Sequence, residues 1–143
     1  MQVENILQSK GRAVHTVAAR ASIGEAVELL NSRRIGAVVV VNDTGKVAGI
    51  LSERDVVRHL GKDWSSLSSR PVSEVMTKDV VTMSRQATIA EVMERMTERR
   101  IRHLPIVDNG ELVGIVSIGD VVKHKMSQLE FERDQLDSYV HQT

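Results

Sequence analysis

The sequence predicts an α/β (α+β) fold of two β-α-β-β-α units packed about a pseudo-two-fold axis, with a long C-terminal helix. The main observation is an internal repeat. Thr16 to His59 aligns with Thr82 to His124 with one deletion, opposite Thr44. Identical pairs include Ile23/Ile89, Glu25/Glu91, Arg33/Arg99, Arg34/Arg100, Gly49/Gly114, Ser52/Ser117 and Asp55/Asp120. A unit of about 45 residues present only twice is too short an array for a solenoid. The second observation is length. In a chain of 143 residues each half is marginal alone, so the halves are expected to share a core. The third is the charged stretch after Asp120, which holds spaced apolar residues and no Gly or Pro beyond it.

Each element has a local cause. Val14–Val17 and Val80–Met83 read as short strands opening the repeats. Ser22-Ile-Gly-Glu25 and Thr88-Ile-Ala-Glu91 have the spacing of a capping box. Behind them, Ile23, Ala26, Val27 and Leu30, and then Ile89, Val92, Met93 and Met96, recur at helical spacing. The paired arginines 33–34 and 99–100 suit the negative end of each helix dipole. Ala37–Val41 is apolar throughout, as a strand buried on both faces would be. A turn at Asn42–Gly45 leads into Val47–Leu51, and Asp108–Gly110 joins Leu104–Val107 to Leu112–Val116, giving two hairpins. Second helices begin at Ser52 and Ser117.

The domain plan assigns 1–61 to the first repeat with its lead, 62–72 to a linker, 73–126 to the second repeat and 127–143 to the terminal helix. Gly61 to Pro71 is serine-rich and lacks apolar periodicity, which reads as linker. Ser73–Met76 reads as a single helical turn. Leu129, Leu136 and Val140 fall near one face of the last helix, which therefore needs a partner surface.

Composition excludes several functions. Acidic and basic residues balance at 19 each, against nucleic-acid or anionic-membrane binding. No run approaches transmembrane length and the start lacks a signal peptide, so a cytoplasmic protein is expected. Without cysteine there is no disulfide or thiol chemistry. The five histidines lack zinc-ligand spacing, no nucleophile–base pair is evident, and no enzyme is expected.

The strongest site signal is Gly49-Ile-Leu-Ser52-Glu-Arg-Asp55 and its copy Gly114-Ile-Val-Ser117-Ile-Gly-Asp120. Each joins an apolar strand to a helix start, where free N–H groups and the dipole favour an anion. A carboxylate three residues on can accept hydrogen bonds from two adjacent hydroxyls, such as those of a ribose. The plainer reading, that Ser caps the helix and Asp completes the box, is compatible with it. Arg102 and His103, at a strand start, could reach a phosphate in a cleft between the repeats; a surface salt bridge is the alternative. Gly36, opposite Arg102 in the alignment, would let a ligand approach the backbone.

Together VAGILSERD, LVGIVSIGD and RRIRHLPIVD, in the β-α-β-β-α order, resemble the cystathionine-β-synthase (CBS) domain family over Val14–Leu60 and Val80–Lys125. Tandem pairs of this family, called Bateman modules, typically bind adenine nucleotides or adenosyl compounds in two clefts. The resemblance implies a first cleft using Ile50, Ser52, Arg54 and Asp55, with Arg102 on the phosphate and Met76, Thr77 and Val81 framing the base. It implies a second using Ile115, Ser117, Gly119 and Asp120, with Lys10, His15, Ile35, Gly36 and His103 nearby. Where Arg54 stands in the first repeat the second has Gly119, and Val39 aligns with Pro105, so the clefts are expected to be unequal. The implied function is a stand-alone nucleotide sensor for AMP foremost, or ATP or NAD(H), with no metal. S-adenosylmethionine and a ligand-free dimerisation module are the alternatives. A homodimer through repeat faces and the terminal helix, signalling to an unnamed downstream protein, completes the expectation.

Overall fold

The computed structural model describes residues 2–11, 13–61 and 63–141, with the side chain of residue 141 excepted. Residue 62 of the expected linker and residues 142–143 of the terminal segment lie outside the described residues.

In the first half, β1 (Thr16–Ala18) runs parallel to β2 (Ala37–Val41), which pairs antiparallel with β3 (Val47–Ser52). Helix α2 (Ile23–Arg33) links β1 to β2, and α3 (Glu53–His59) follows β3. The order recurs as α5 (Ile89–Arg99), β4 (His103–Asp108), β5 (Glu111–Ser117) and α6 (Ile118–His141), with β4 and β5 antiparallel. Both hairpins slip register at matching places, Val40/Val41 and Ile106/Val107. The apolar run of β2 is buried from Ala37 to Val40, as its composition demands.

Two helix starts carry only half of the expected box. Ser22 and Thr88 accept the N–H groups of Glu25 and Glu91, each at 3.1 Å, and both act as N-caps. Helices α2 and α5 end alike. Arg34 and Arg100 both adopt left-handed backbone at φ 54°, and the next N–H turns back five residues, Ile35 to Leu30 and Ile101 to Met96. This is the Schellman closure, usually built on glycine.

The opening strand of the second repeat is not formed. Residues 80–83 make one bridge, Met83 to Ile106, through Met83 N–H to Pro105 O at 3.2 Å and Val107 N–H to Met83 O at 2.9 Å. In the first half the ladder extends to Thr16↔Val39, which requires an N–H from Val39. Pro105 stands there in the second half and has none to give. At the other end, the Arg85 N–H goes to the Asp108 carboxylate instead, at 3.4 Å. The first strand also begins at Thr16 rather than Val14.

The described parts of the segments read as lead and linker include helices, and they cross over. Helix α1 (Val3–Lys10) precedes the first repeat but packs Val3, Ile6 and Leu7 into the second core, with Val92, Leu104, Ile106 and Val116. The lead assigned to repeat one therefore places Val3–Lys10 on the core of repeat two. Conversely, the segment before repeat two packs on the first core. Val72 opens a 3₁₀ turn, and Val72 and Val75 are buried with Ile23, Leu30 and Leu51. Helix α4 (Trp64–Ser69), capped by Asp63, adds Leu67 to the same cluster, so the serine-rich stretch is a helix anchored by one apolar side chain. Burying a Leu or Ile side chain is worth about 1.5–3 kcal/mol, so each exchange ties the halves firmly.

The crossing explains Gly49 and Gly114. A Cβ on Gly49 would lie 2.9 Å from Thr77 O, and one on Gly114 2.5 Å from Leu7 Cδ2. Each glycine is where the other half's lead segment presses on a strand. Lys46 adds a third tie, reaching Glu111 Oε1 at 2.9 Å and Gly110 O at 3.2 Å.

Candidate functional site

The two strand-to-helix junctions are built alike. Ser52 N–H donates to Asp55 Oδ2 at 2.9 Å, and Asp55 N–H donates to Ser52 Oγ at 3.3 Å. Ser117 and Asp120 repeat this at 2.9 and 3.1 Å. Both aspartates therefore complete capping boxes. The functional reading survives because each carboxylate has capacity to spare. Among the described residues, the second oxygen of Asp55 accepts one hydrogen bond, from the Thr77 hydroxyl at 3.5 Å.

The junctions face the seam between the halves. Glu53 N–H donates to Gly36 O at 3.0 Å, and Ile118 N–H to Arg102 O at 2.8 Å, equivalent bonds that hold each helix start beside the loop after α2 or α5. Ile50 and Thr77 exchange both backbone bonds, at 3.0 and 2.9 Å.

Between these segments lies a cavity of about 220 Å³. It is lined by Ile50, Ser52, Arg54, Asp55 and Thr77 from the expected first cleft, and by Arg102 from the opposite repeat. Met76 and Val81 do not line it. Met76 packs against the first core and Val81 against the second. Gly36 and His103, expected in the second cleft, line this same cavity. A Cβ on Gly36 would stand 3.3 Å from the His103 ring, so the glycine makes room for the imidazole.

Sequence reasoning missed four lining residues: Glu53, Arg58, Arg100 and Ile101. Arg58 is one helical turn beyond Arg54, so the i,i+4 spacing on α3 held the signal. As a helix-end charge, Arg100 carries no sign of the cavity in the sequence. Its left-handed backbone lies at the cavity edge, where strained conformations often have a use. Arg54, Arg58, Arg100 and Arg102 thus converge, against two carboxylates, Glu53 and Asp55. The balanced charge of the whole chain hides a locally basic cavity.

The second cleft is arranged differently. Lys10, at the end of α1, donates to Asp120 Oδ2 at 2.7 Å and to Ile115 O at 2.8 Å. Burial alone would raise the Asp120 carboxyl, but hydrogen bonds from Lys10 and Ser117 outweigh it and hold the group below the usual carboxylate range. Burial lowers the His103 imidazole, and Lys10 and Arg102 act in the same sense against Glu53 and Asp120. Of the other expected members, Ile35 packs on the first core, and Gly119 has only Ser117 Oγ near the position of a Cβ, at 3.6 Å. His15 is half-buried between α1 and β1 in the chain. Among the described residues, no group of three His, Asp or Glu side chains is placed to hold a metal, and no helix is long and apolar enough to cross a membrane.

A β-α-β-β-α unit and a copy that lacks only the opening strand, with matched helix-start aspartates, define the class. The CBS domain family model matches residues 6–62 and 72–127, and the chain belongs to that family as a tandem pair. The chain is 36% identical over 117 residues to the CBS domain-containing protein YhcV of Bacillus subtilis, covering 80% of each. It superposes on the crystal structure of the CBS-domain containing protein ATU1752 of Agrobacterium tumefaciens with a TM-score of 0.82 and 45% identity, covering 87% of this chain and 92% of that one. It also superposes on the CBS domain pair of MJ0100, solved with 5′-methylthioadenosine and S-adenosyl-L-methionine, at a TM-score of 0.79 and 26% identity, covering 90% and 98%. The chain spans 71% of a mitochondrial relative from Arabidopsis thaliana, CBSX3. It spans only 34% of an uncharacterized protein of Thermofilum pendens and 22% of the inosine-5′-monophosphate dehydrogenase of Methanocaldococcus jannaschii.

Proposed function

We propose that this chain is a non-catalytic regulatory module that binds an adenine nucleotide at the seam between its two repeats. The observation that carries the reading is the convergence of Arg54, Arg58, Arg100 and Arg102 on one cavity beside the partly free carboxylate of Asp55. Asp55 accepts the ribose hydroxyls, and the arginines take the phosphate through charge-assisted, bidentate hydrogen bonds. Ile50 and Ile101 supply apolar surface for the base. AMP is the foremost ligand, with ATP and NAD(H) sharing its recognised parts.

S-adenosylmethionine is the second reading, favoured by the ligands of the MJ0100 pair. The arginine cluster weighs against it here, because its sulfonium is cationic and it has no phosphate. In the second cleft Lys10 already neutralises Asp120, so a ligand there must displace or recruit the ammonium. The module acts as a cytoplasmic homodimer whose ligand state is read by another protein, with neither nucleic acid nor membrane as partner.

Equilibrium dialysis against AMP, ATP, NADH and S-adenosylmethionine tests this, together with mass spectrometry of any copurifying small molecule. We expect phosphate-bearing compounds to bind, and Asp55→Ala to weaken them by about 1.5–3 kcal/mol. A folded protein that binds none of the four overturns the reading.

A further inference from the structure

We propose that the projecting half of α6 forms an antiparallel helix pair with a second copy of this chain. The body covers only the beginning of the helix, where Val121 is buried in the second core. From Leu129 to Val140 every residue is exposed, a rod of about 18 Å at 1.5 Å per residue. A helical stretch that short is marginal without packing.

Its exposed side chains are ordered. Val122, Met126, Leu129, Arg133 and Leu136 follow one another at spacings of four and three, the step of a coiled-coil seam. The four apolar members are between 51% and 65% exposed. Phe131 lies off this stripe, on the outer face.

The flanking charges choose the occupant and its direction. Lys123 and Lys125 flank the seam near the body, and Glu130, Glu132 and Asp137 flank it further out. A parallel pair would set Arg133 against the partner's Arg133 inside the seam, and its one favourable flanking contact, Lys125 with the partner's Glu130, is offset by Glu132 against the partner's Asp137. An antiparallel pair sets Lys123 against the partner's Glu130 and Lys125 against the partner's Glu132, and the two-fold axis makes each contact twice. Arg133 then lies over the partner's Val122 with its guanidinium free to reach water. This register centres the pair between Ser127 and Gln128. It brings Leu136 onto the partner's Gly119, which has open space, beside the partner's Ile118, which is 47% exposed. The tip of each helix thus rests on the helix start that carries Asp120 in the other subunit. Opening or closing that cleft would alter the contact, which gives the ligand a route to the subunit interface.

The proposal rests on the homodimer of the reading above and not on its ligand. The chain has no cysteine, so nitroxide labels can be placed singly through Gln128→Cys and Gln135→Cys in the full chain. Dipolar electron paramagnetic resonance should then report a separation about 10–15 Å longer for label 135 than for label 128, because the axial offset adds at right angles to the spacing between the helices. Equal separations mean a parallel pair and overturn the proposal. So does a missing dipolar signal in a protein that sediments as a dimer. The double variant Lys123→Glu, Lys125→Glu should weaken the dimer about tenfold or more, and adding Glu130→Lys and Glu132→Lys should restore it. Phe131→Ala should leave it unchanged. A monomer that still binds AMP overturns the helix pair and the dimer while leaving nucleotide binding intact.

Discussion

Lys10 and Asp120 form an ion pair at 2.7 Å that joins the first helix to the start of the last, and among the described residues no cation is ion-paired with Asp55, the equivalent aspartate. One repeat closes its carboxylate with a lysine from the exchanged N-terminal helix. The other leaves its carboxylate facing an arginine-lined cavity. Two similar halves have thereby become two different sites.

The pair gives a pH dependence of definite sign. Asp120 is held below its ordinary value of 3.8, so the folded state favours the charged carboxylate. That contribution is complete above the unfolded pKa and is lost as pH falls through the lower, folded one. Lys10→Met should cost about 0.5–1 kcal/mol at neutral pH, since both groups are partly exposed. The difference from wild type should shrink below about pH 4. Urea unfolding at pH 7 and pH 3 checks it, and an equal difference at both would refute the assignment.

Arg100 and Arg34 separate strain from function. Both hold left-handed backbone, and only Arg100 lines the cavity. Either residue changed to glycine should gain about 1 kcal/mol of stability, because the Cβ strain is relieved. Arg100→Gly should also weaken nucleotide binding, while Arg34→Gly should not. Paired thermal melts and titrations decide it.

Gly49 and Gly114 should respond unequally to alanine. At Gly114 the new methyl meets the side chain of Leu7, which can turn aside. At Gly49 it meets the Met76 side chain and also the backbone oxygen of Thr77, which is fixed by its bonds to Ile50. Gly49→Ala should cost about 1–3 kcal/mol and Gly114→Ala less. Denaturant midpoints give the ranking, and the reverse order would contradict the exchanged packing.

Much of this was legible in the residues. The repeat, the hairpins and the helix starts follow from pattern and capping chemistry acting over a few positions. The exchange of lead segments was not, because Val3, Ile6 and Leu7 show that they will be buried but not against which half. The serine-rich stretch misled for a related reason: Leu67 alone anchors α4, and one apolar residue makes no periodicity. The absence of a strand at 80–83 is legible in one residue, Pro105, which stands where Val39 donates its N–H and removes that hydrogen bond. At the site, Asp55, Arg54 and Arg102 were reached by motif and resemblance. Arg58 and Arg100 needed the fold, because which arginines of a helix end face a cleft depends on where the other half stands.

The most direct test of the account is calorimetric titration of AMP and adenosine into wild type and Arg102→Ala. Charge-assisted hydrogen bonds contribute about 1.5–3 kcal/mol each, so the variant should bind AMP about ten- to a hundredfold more weakly. Its adenosine affinity should stay near that of wild type, because Asp55 and Ile50 remain. Equal loss for both ligands, or no loss for AMP, would show that the phosphate does not lie among the cavity arginines.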